Sequence, residues 1–391
     1  MEREDKTAKL AARIGARAPL ADGRPLDRVL ADDLAGNELT TLLLHLLRRR
    51  AKRRSFSDVL EHATRAPIFA ASTADVRRLR EVDDCAFEAA IGFEPVELSP
   101  VIPLGGAARA GVDPNNVLGA VRFAEAAADP AIGLAIHAAR RRRSGRPHDV
   151  ERWCTSQRVL RLQPTTFPGF SPHFRLFALL TAVRSERRGA DVDCEHAALL
   201  EQLVVWARFT ESLAKARFRV SEVRVVLADT GIVRACLAAR GADPDRLARW
   251  ARAHEPGSTE SVLERAGIEL PRATDDLVAA ASAIGLDEDL RRRARLLVER
   301  VGEPLARARP EVRVVYDLGR LQALGYYAGP FVQIMLRRDD GVEIPIGDGG
   351  ALPWMTAMLS DRRERMVVTG VGTEACVKLF DGERATDRRT P

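Results

Sequence analysis

VLRLQPTTFPGFSPHFRLFALLT, residues 159–181, carries the decision about the fold. Two apolar, strand-like runs flank a loop holding Pro164, Pro168, Gly169 and Pro172, the composition of a long-looped antiparallel hairpin. Alternation puts Val159, Arg161 and Gln163 on one face of the first strand, and Arg175, Phe177 and Leu179 on one face of the second. An arginine on each of two otherwise apolar strands is the anomaly. A buried guanidinium has five donors and keeps its charge, so it needs acceptors from a ligand or from the protein. The plain reading pairs each arginine with a carboxylate or the backbone; the functional reading places both in one cleft.

On the N-terminal side, residues 75–90 read as a helix entered at Asp75, with Val76, Leu79, Val82, Ala86 and Phe87 as its apolar stripe. Gly92 ends that helix, Val96 and Leu98 alternate as a strand, and Pro100 and Pro103 restrict its pairing to a sheet edge or interrupt the strand. A short apolar helix over residues 132–140 precedes the hairpin. After it come an amphipathic helix over 195–216, a strand over 220–228 and a helix opened by Asp229. Strands return at 312–316, 326–336 and 342–346, followed by a DGG turn at 348–350, a helix at 353–359 and a strand at 366–371. Hairpins in place of βαβ repeats predict an α+β fold, a mainly antiparallel sheet flanked by helices.

The expected organisation is a helical N-terminal subdomain over residues 1–71 and a core over 72–240 and 309–380. A helical insertion over 241–308 and a flexible polar tail over 381–391 complete it. The N-terminal helices fall at 26–34, 38–50 and 57–62.

The chain has 391 residues and a formal charge of +6, enough length for more than one core. The N-terminus is charged and lacks an apolar signal region, and no apolar run is long enough to span a bilayer, so a cytoplasmic protein without membrane contact is expected. The five cysteines are dispersed without a CxxC pair, which supports neither a disulfide framework nor a metal site. Basic runs at 48–54 (RRRAKRR), 140–143 and 291–293 sit at helix ends, where cations offset the helix dipole; the first also offers phosphate contacts to RNA. No P-loop, GxGxxG, GxSxG or HExxH motif is present.

The order of these elements resembles the class II aminoacyl-tRNA synthetases. The helix and strand around Gly92, Phe93 and Pro100 are similar to motif 1, which in that family forms the homodimer interface. The hairpin resembles motif 2, with Arg161 at the arginine position, Gln163 where the family carries glutamate, and His173 and Phe177 on the second strand. Gly370, Gly372 and Glu374 resemble motif 3, with Ala375 at the place of its arginine. Within the class the chain looks like the histidyl-type proteins. LGRLQALGYYAGPFVQI, residues 318–334, is similar to their double-tyrosine segment, with Tyr326, Tyr327 and Gly329 in register, Gln322 at its arginine and Gly325 at its acid.

This resemblance implies ATP and Mg²⁺ as cofactors, with Arg161, Gln163, Arg175, Phe177 and Glu374 as nucleotide-binding candidates. Tyr326, Tyr327, Gly329 and Asp348 become the amino-acid or acyl-binding candidates. The lost motif 2 and motif 3 groups would remove transition-state stabilisation of a few kcal/mol for each donor, about. The implied protein is therefore a regulatory or ligand-binding paralogue, like the regulatory subunit of ATP phosphoribosyltransferase, working with a partner enzyme. An ATP-dependent carboxylate-activating ligase that does not charge tRNA is the second reading. A basic dimeric scaffold binding RNA, tRNA included, is the third.

Overall fold

The computed structural model describes residues 9–10, 12–15, 23–145, 150–162, 171–185, 191–253, 258–322 and 324–382. The chain divides into two compact units, Met1–Ala70 with Gly119–Glu125, and Ala71–Leu118 with Ala126–Pro391.

In the first unit a short helical stretch, Leu26–Arg28 continuing through Val29–Asp33, precedes α1 (Gly36–Ala51) and α2 (Phe56–Arg65). Ser55 caps α2: its hydroxyl accepts from the Asp58 backbone while the Asp58 carboxylate accepts from the Ser55 backbone. No residue of α1 or α2 is fully buried.

The second unit is built on an eight-stranded sheet. Its strands are β1 (Glu94–Pro95), β2 (Val150–Leu160), β3 (His173–Arg184), β4 (Glu222–Asp229), β5 (Val312–Tyr316), β6 (Pro330–Arg337), β7 (Glu343–Leu352) and β8 (Glu364–Val371). They lie in the order β1-β2-β3-β8-β7-β6-β4-β5. The central neighbours pair antiparallel, and only the two edge pairings, β1 with β2 and β4 with β5, are parallel. The α+β architecture read from the sequence is the observed one.

Helices cover both faces. On the first face α3 (Val76–Ala89), α5 (Asp191–Lys215) and α13 (Thr373–Phe380) bury Leu79, Val82, Leu203, Trp206, Cys376 and Phe380 against Phe177, Leu179 and Ile334 of the strands. Asp75 caps α3 as its position predicts, accepting from the backbone of Arg77 and Arg78. On the second face α4 (Pro130–Arg143) and α12 (Trp354–Leu359) bury Leu134, Ala138 and Met355 against Trp153, Leu180 and Phe331. The helices α6 (Thr230–Ala239), α7 (Pro244–Ala253), α8 (Ser258–Arg265), α9 (Leu277–Ile284), α10 (Glu288–Leu297) and α11 (Glu303–Ala308) add Ile232, Leu247, Val262, Leu277, Leu297 and Leu305 to these same cores.

Three local expectations change. The motif 1-like strand shrinks to Glu94–Pro95; Val96 still donates its backbone N–H to Cys154 at 2.9 Å, but Val96 and Leu98 leave the ladder and pack against the second core. Val76 and Phe87, placed on the apolar stripe of α3, are 78% and 39% exposed. Asp348–Gly350 is not a turn but the middle of β7. A Cβ on Gly347 would stand 2.1 Å from the Gly370 carbonyl oxygen, and one on Gly349 2.4 Å from that of Val368. These glycines serve close approach of neighbouring strands, at a β-bulge between Pro345 and Gly347, and do not reverse the chain.

Candidate functional site

The hairpin register decides where its arginines go. Val159 lies opposite Phe174, and Arg158 opposite Arg175, so the odd-numbered residues of β2 share a face with the even-numbered residues of β3. Arg161 and Arg175 therefore diverge. Just past β2, Arg161 donates through Nε to the Ala128 carbonyl at 2.7 Å and through Nη2 to Asp129 at 2.8 Å, on the second face. Arg175 reaches Asp83 of α3 at 3.1 Å, on the first face. The single cleft expected for both does not form, because the pairing register separates them.

Other nucleotide candidates follow Arg175 to the first face. Phe177 is fully buried, edge-on to Phe87 and Trp206. Glu374 is buried at the start of α13, paired with Lys378 and Arg158 at 2.8 Å each and accepting from Ser72. Burial alone would raise its pKa, but the hydrogen bonds from Lys378 and Ser72 and the charge of Arg158 outweigh it and hold the carboxyl below the ordinary glutamate value. Its partner among the strand arginines is Arg158, not Arg175. His173 also faces Arg158, at 2.9 Å. Gln163 lies outside the described residues.

Three of the four acyl-binding candidates, Tyr326, Tyr327 and Asp348, by contrast, converge on the second face beside Arg161. Tyr327 donates its hydroxyl to Oδ1 of Asp348 at 3.1 Å, and its ring stacks on Phe331. Tyr326 meets Tyr327 and Trp354 edge-on, at 4.8 and 5.6 Å between centroids. Burial, reinforced by the charges of Asp129 and Asp348, pushes both phenols well above their ordinary pKa, so they stay protonated donors. Asp129 also caps α4 through the Ala131 backbone at 2.8 Å. Burial raises its carboxyl and Arg161 opposes the rise. Gly329 faces the other way: a Cβ there would come within 2.9 Å of Glu195 of α5 and 3.3 Å of Ala351, on the first face, and its carbonyl oxygen accepts from Thr230.

One member of this cluster was not read from the sequence. Arg320 is 6% exposed, with Nη2 3.8 Å from Asp348 and its guanidinium 5.9 Å from the Phe331 ring. Its Nη1 has no hydrogen-bond partner among the described residues. Burial draws its pKa below the ordinary arginine value, opposed by Asp348. Asp317, bonded to the Gly319 backbone and to Arg272 at 2.8 Å each, holds the segment that presents it. An arginine in the apolar run of residues 318–321 was the available signal.

The result is two arginines, two carboxylates and two protonated phenols around an aromatic floor, with Asp348 itself exposed and Arg320 below it. The motif 1-like residues lie elsewhere: Gly92 takes a positive φ of 101° after α3, Phe93 is buried, and Pro100 is exposed.

This architecture is the class II aminoacyl-tRNA synthetase-like fold of the histidyl type. The chain is similar to an ATP phosphoribosyltransferase regulatory subunit/histidyl-tRNA synthetase from Bacillus halodurans, with a TM-score of 0.57 and 16% identity over 78% of this chain and 79% of that one. It is also similar to a histidine–tRNA ligase subunit from Alicyclobacillus acidocaldarius, with a TM-score of 0.54 and 17% identity over 79% and 94%. Histidyl-tRNA synthetase from Nostoc gives 0.57 and 13% over 79% and 72%. No protein-family model matches the sequence, and no curated protein does.

Proposed function

We propose that this chain is a catalytically degenerate paralogue of the histidyl-tRNA synthetases, a homodimeric regulatory subunit that binds a small amino-acid-like ligand and acts on a partner enzyme. The observation that carries it is the charge balance of the site. Arg161 is committed to Asp129, and Arg320 faces Asp348, so the described cations of the cluster are each matched by a carboxylate. A zwitterion suits that balance: its ammonium sits against the exposed Asp348, and its carboxylate takes the buried Nη1 of Arg320 once the side chains over that atom move aside.

A polyphosphate needs surplus cations placed for its charge, and the described residues do not fit it. Arg175 is paired on the opposite face, and α13 begins Thr373, Glu374, Ala375 without an arginine. ATP and Mg²⁺ are accordingly left out of this reading. Among the described residues no three His, Cys, Asp or Glu side chains gather as a metal site requires. For the homodimer, the supporting feature is exposed apolar surface along the motif 1-like unit: Val76 at 78%, Ile91 at 79% and Leu104 at 54%. For cell placement the relevant fact is that no described helix is long and apolar enough to cross a membrane.

Calorimetry with the standard amino acids, ATP and AMP, alongside pyrophosphate exchange, tests the reading. Heat from an amino acid without exchange is the expected result. Exchange with any amino acid would establish the ligase instead, and silence from every amino acid would remove the ligand site.

A further inference from the structure

The N-terminal unit carries a surface that the site described above does not use. Helix α1 has two apolar sides. One is engaged within the unit: Leu39, Leu43 and Leu44 are half-buried, and Gly36 lies so close to the Phe123 ring that an added Cβ would meet it at 3.4 Å. The other side faces solvent. At helical spacing, Glu38, Leu42, Leu46 and Arg49 follow one another along it, with Arg53 in the turn just past the helix end, and Leu42 and Leu46 are 37% and 46% exposed.

That line is ordered acid, leucine, leucine, arginine, with a second arginine in the turn beyond. Its beginning adjoins the acidic stretch containing Asp32 and Asp33, and its end lies in the 48–54 run RRRAKRR. Such an order is complementary to itself when reversed. Two such helices side by side and antiparallel set Leu42 of each against Leu46 of the other, and Glu38 of each beside the arginines of the other. Antiparallel packing also opposes the helix dipoles favourably.

We propose that α1 pairs antiparallel with α1 of a second copy of this chain, through Leu42 and Leu46 with Glu38 and Arg49 at the ends. A two-fold contact of this kind needs one self-complementary patch, which is what the sequence order provides. Phe56, Val59 and Leu60 of α2, at 95%, 52% and 68% exposed, form a second apolar row. Two copies would bring four amphipathic helices together, the number that closes a bundle. An RNA partner would use the arginines but has no use for the leucines between them and the acid.

The test is disulfide trapping in the full-length chain, which reads helix pairing independently of any dimer formed elsewhere. Leu42→Cys with Leu46→Cys should cross-link two chains on mild oxidation at least about tenfold more than Asn37→Cys with Ala51→Cys, which mark the opposite side. Arg49→Glu with Arg53→Glu should abolish the cross-link, and adding Glu38→Lys should restore it. Circular dichroism checks that each variant keeps its helices. Equal trapping on both sides, no trapping, or indifference to the charge reversal overturns the proposal. RNA retention that depends on Arg49 and Arg53 without trapping overturns it in favour of RNA.

Discussion

Nη2 of Arg161 lies 2.8 Å from Oδ2 of Asp129, so the arginine that the motif 2 resemblance makes a nucleotide-binding candidate is neutralised by the protein's own carboxylate. Asp129 also caps α4, and asparagine caps a helix about as well as aspartate. Asp129→Asn should therefore leave stability nearly unchanged while freeing a cation at the site. Affinity for AMP should rise about tenfold, or ~1.4 kcal/mol, the scale of a hydrogen bond to a charged group. Calorimetry with AMP measures this, and an unchanged affinity would show that Arg161 does not face the ligand.

Arg320 combines deep burial with one unclaimed donor, a costly arrangement for a purely structural group. Arg320→Met keeps much of the side-chain volume and removes the charge. Thermal stability should rise by about 2 °C or more, while the heat of binding of any amino acid ligand disappears. A structural arginine gives the opposite sign, with Tm falling. Tyr327→Phe, which loses one hydrogen bond to Asp348, should weaken binding more mildly, by about 0.5–1.5 kcal/mol.

Much of this frame is legible in the sequence because strand alternation and helical periodicity are local. The hairpin, the Asp75 cap and the stripe of α5 all follow from neighbours within a few residues. The pairing of Arg161 and Arg175 is not local. Whether two strand residues share a face depends on the parity of the register, which the chain between the strands sets and which alternation in either strand alone does not reveal. Asp348–Gly350 misleads for a related reason. Asp and Gly signal a turn by their local freedom, yet here glycine answers the closeness of β6 and β8, a constraint between strands. Arg320 lies between regular elements, where no periodicity marks a side chain as buried. Tyr326 and Tyr327, in contrast, do gather with Asp348, because they enter together on the approach to β6, while Gly329 two residues on turns to the first face.

The β7 glycines make a prediction that separates close approach from turn formation. Gly347→Ala sets a Cβ 2.1 Å from the Gly370 carbonyl oxygen and 2.8 Å from Cγ1 of Val371, so the sheet must open locally. Its cost should be at least about 3 kcal/mol by chemical denaturation. Gly119→Ala, with nothing within 4 Å of the added Cβ, serves as the control and should stay within about 0.5 kcal/mol of wild type. If the two substitutions cost the same, β7 is not packed as described.

A last prediction concerns pH. Glu151 of β2 and Glu364 of β8 share one buried guanidinium, with Nε of Arg142 at 3.7 and 3.4 Å. Arg184 and Asp361 also bear on Glu364, and Trp153 donates to Glu151. Burial raises the Glu364 pKa, the arginines lower it less, and Asp361 and Glu151 add to the rise. A carboxyl with a folded pKa above its unfolded one stabilises the fold below the unfolded value, and that contribution is lost as pH rises through the folded value. Ionised Glu364 is thus a cost at neutral pH. Glu364→Gln keeps the shape, leaves Arg142 paired with Glu151, and should raise Tm at about pH 8. The advantage should shrink as the pH falls toward the ordinary glutamate value of 4.5. Melting curves across that range decide it. A variant less stable than wild type at the alkaline end would mean that Arg142 needs both carboxylates.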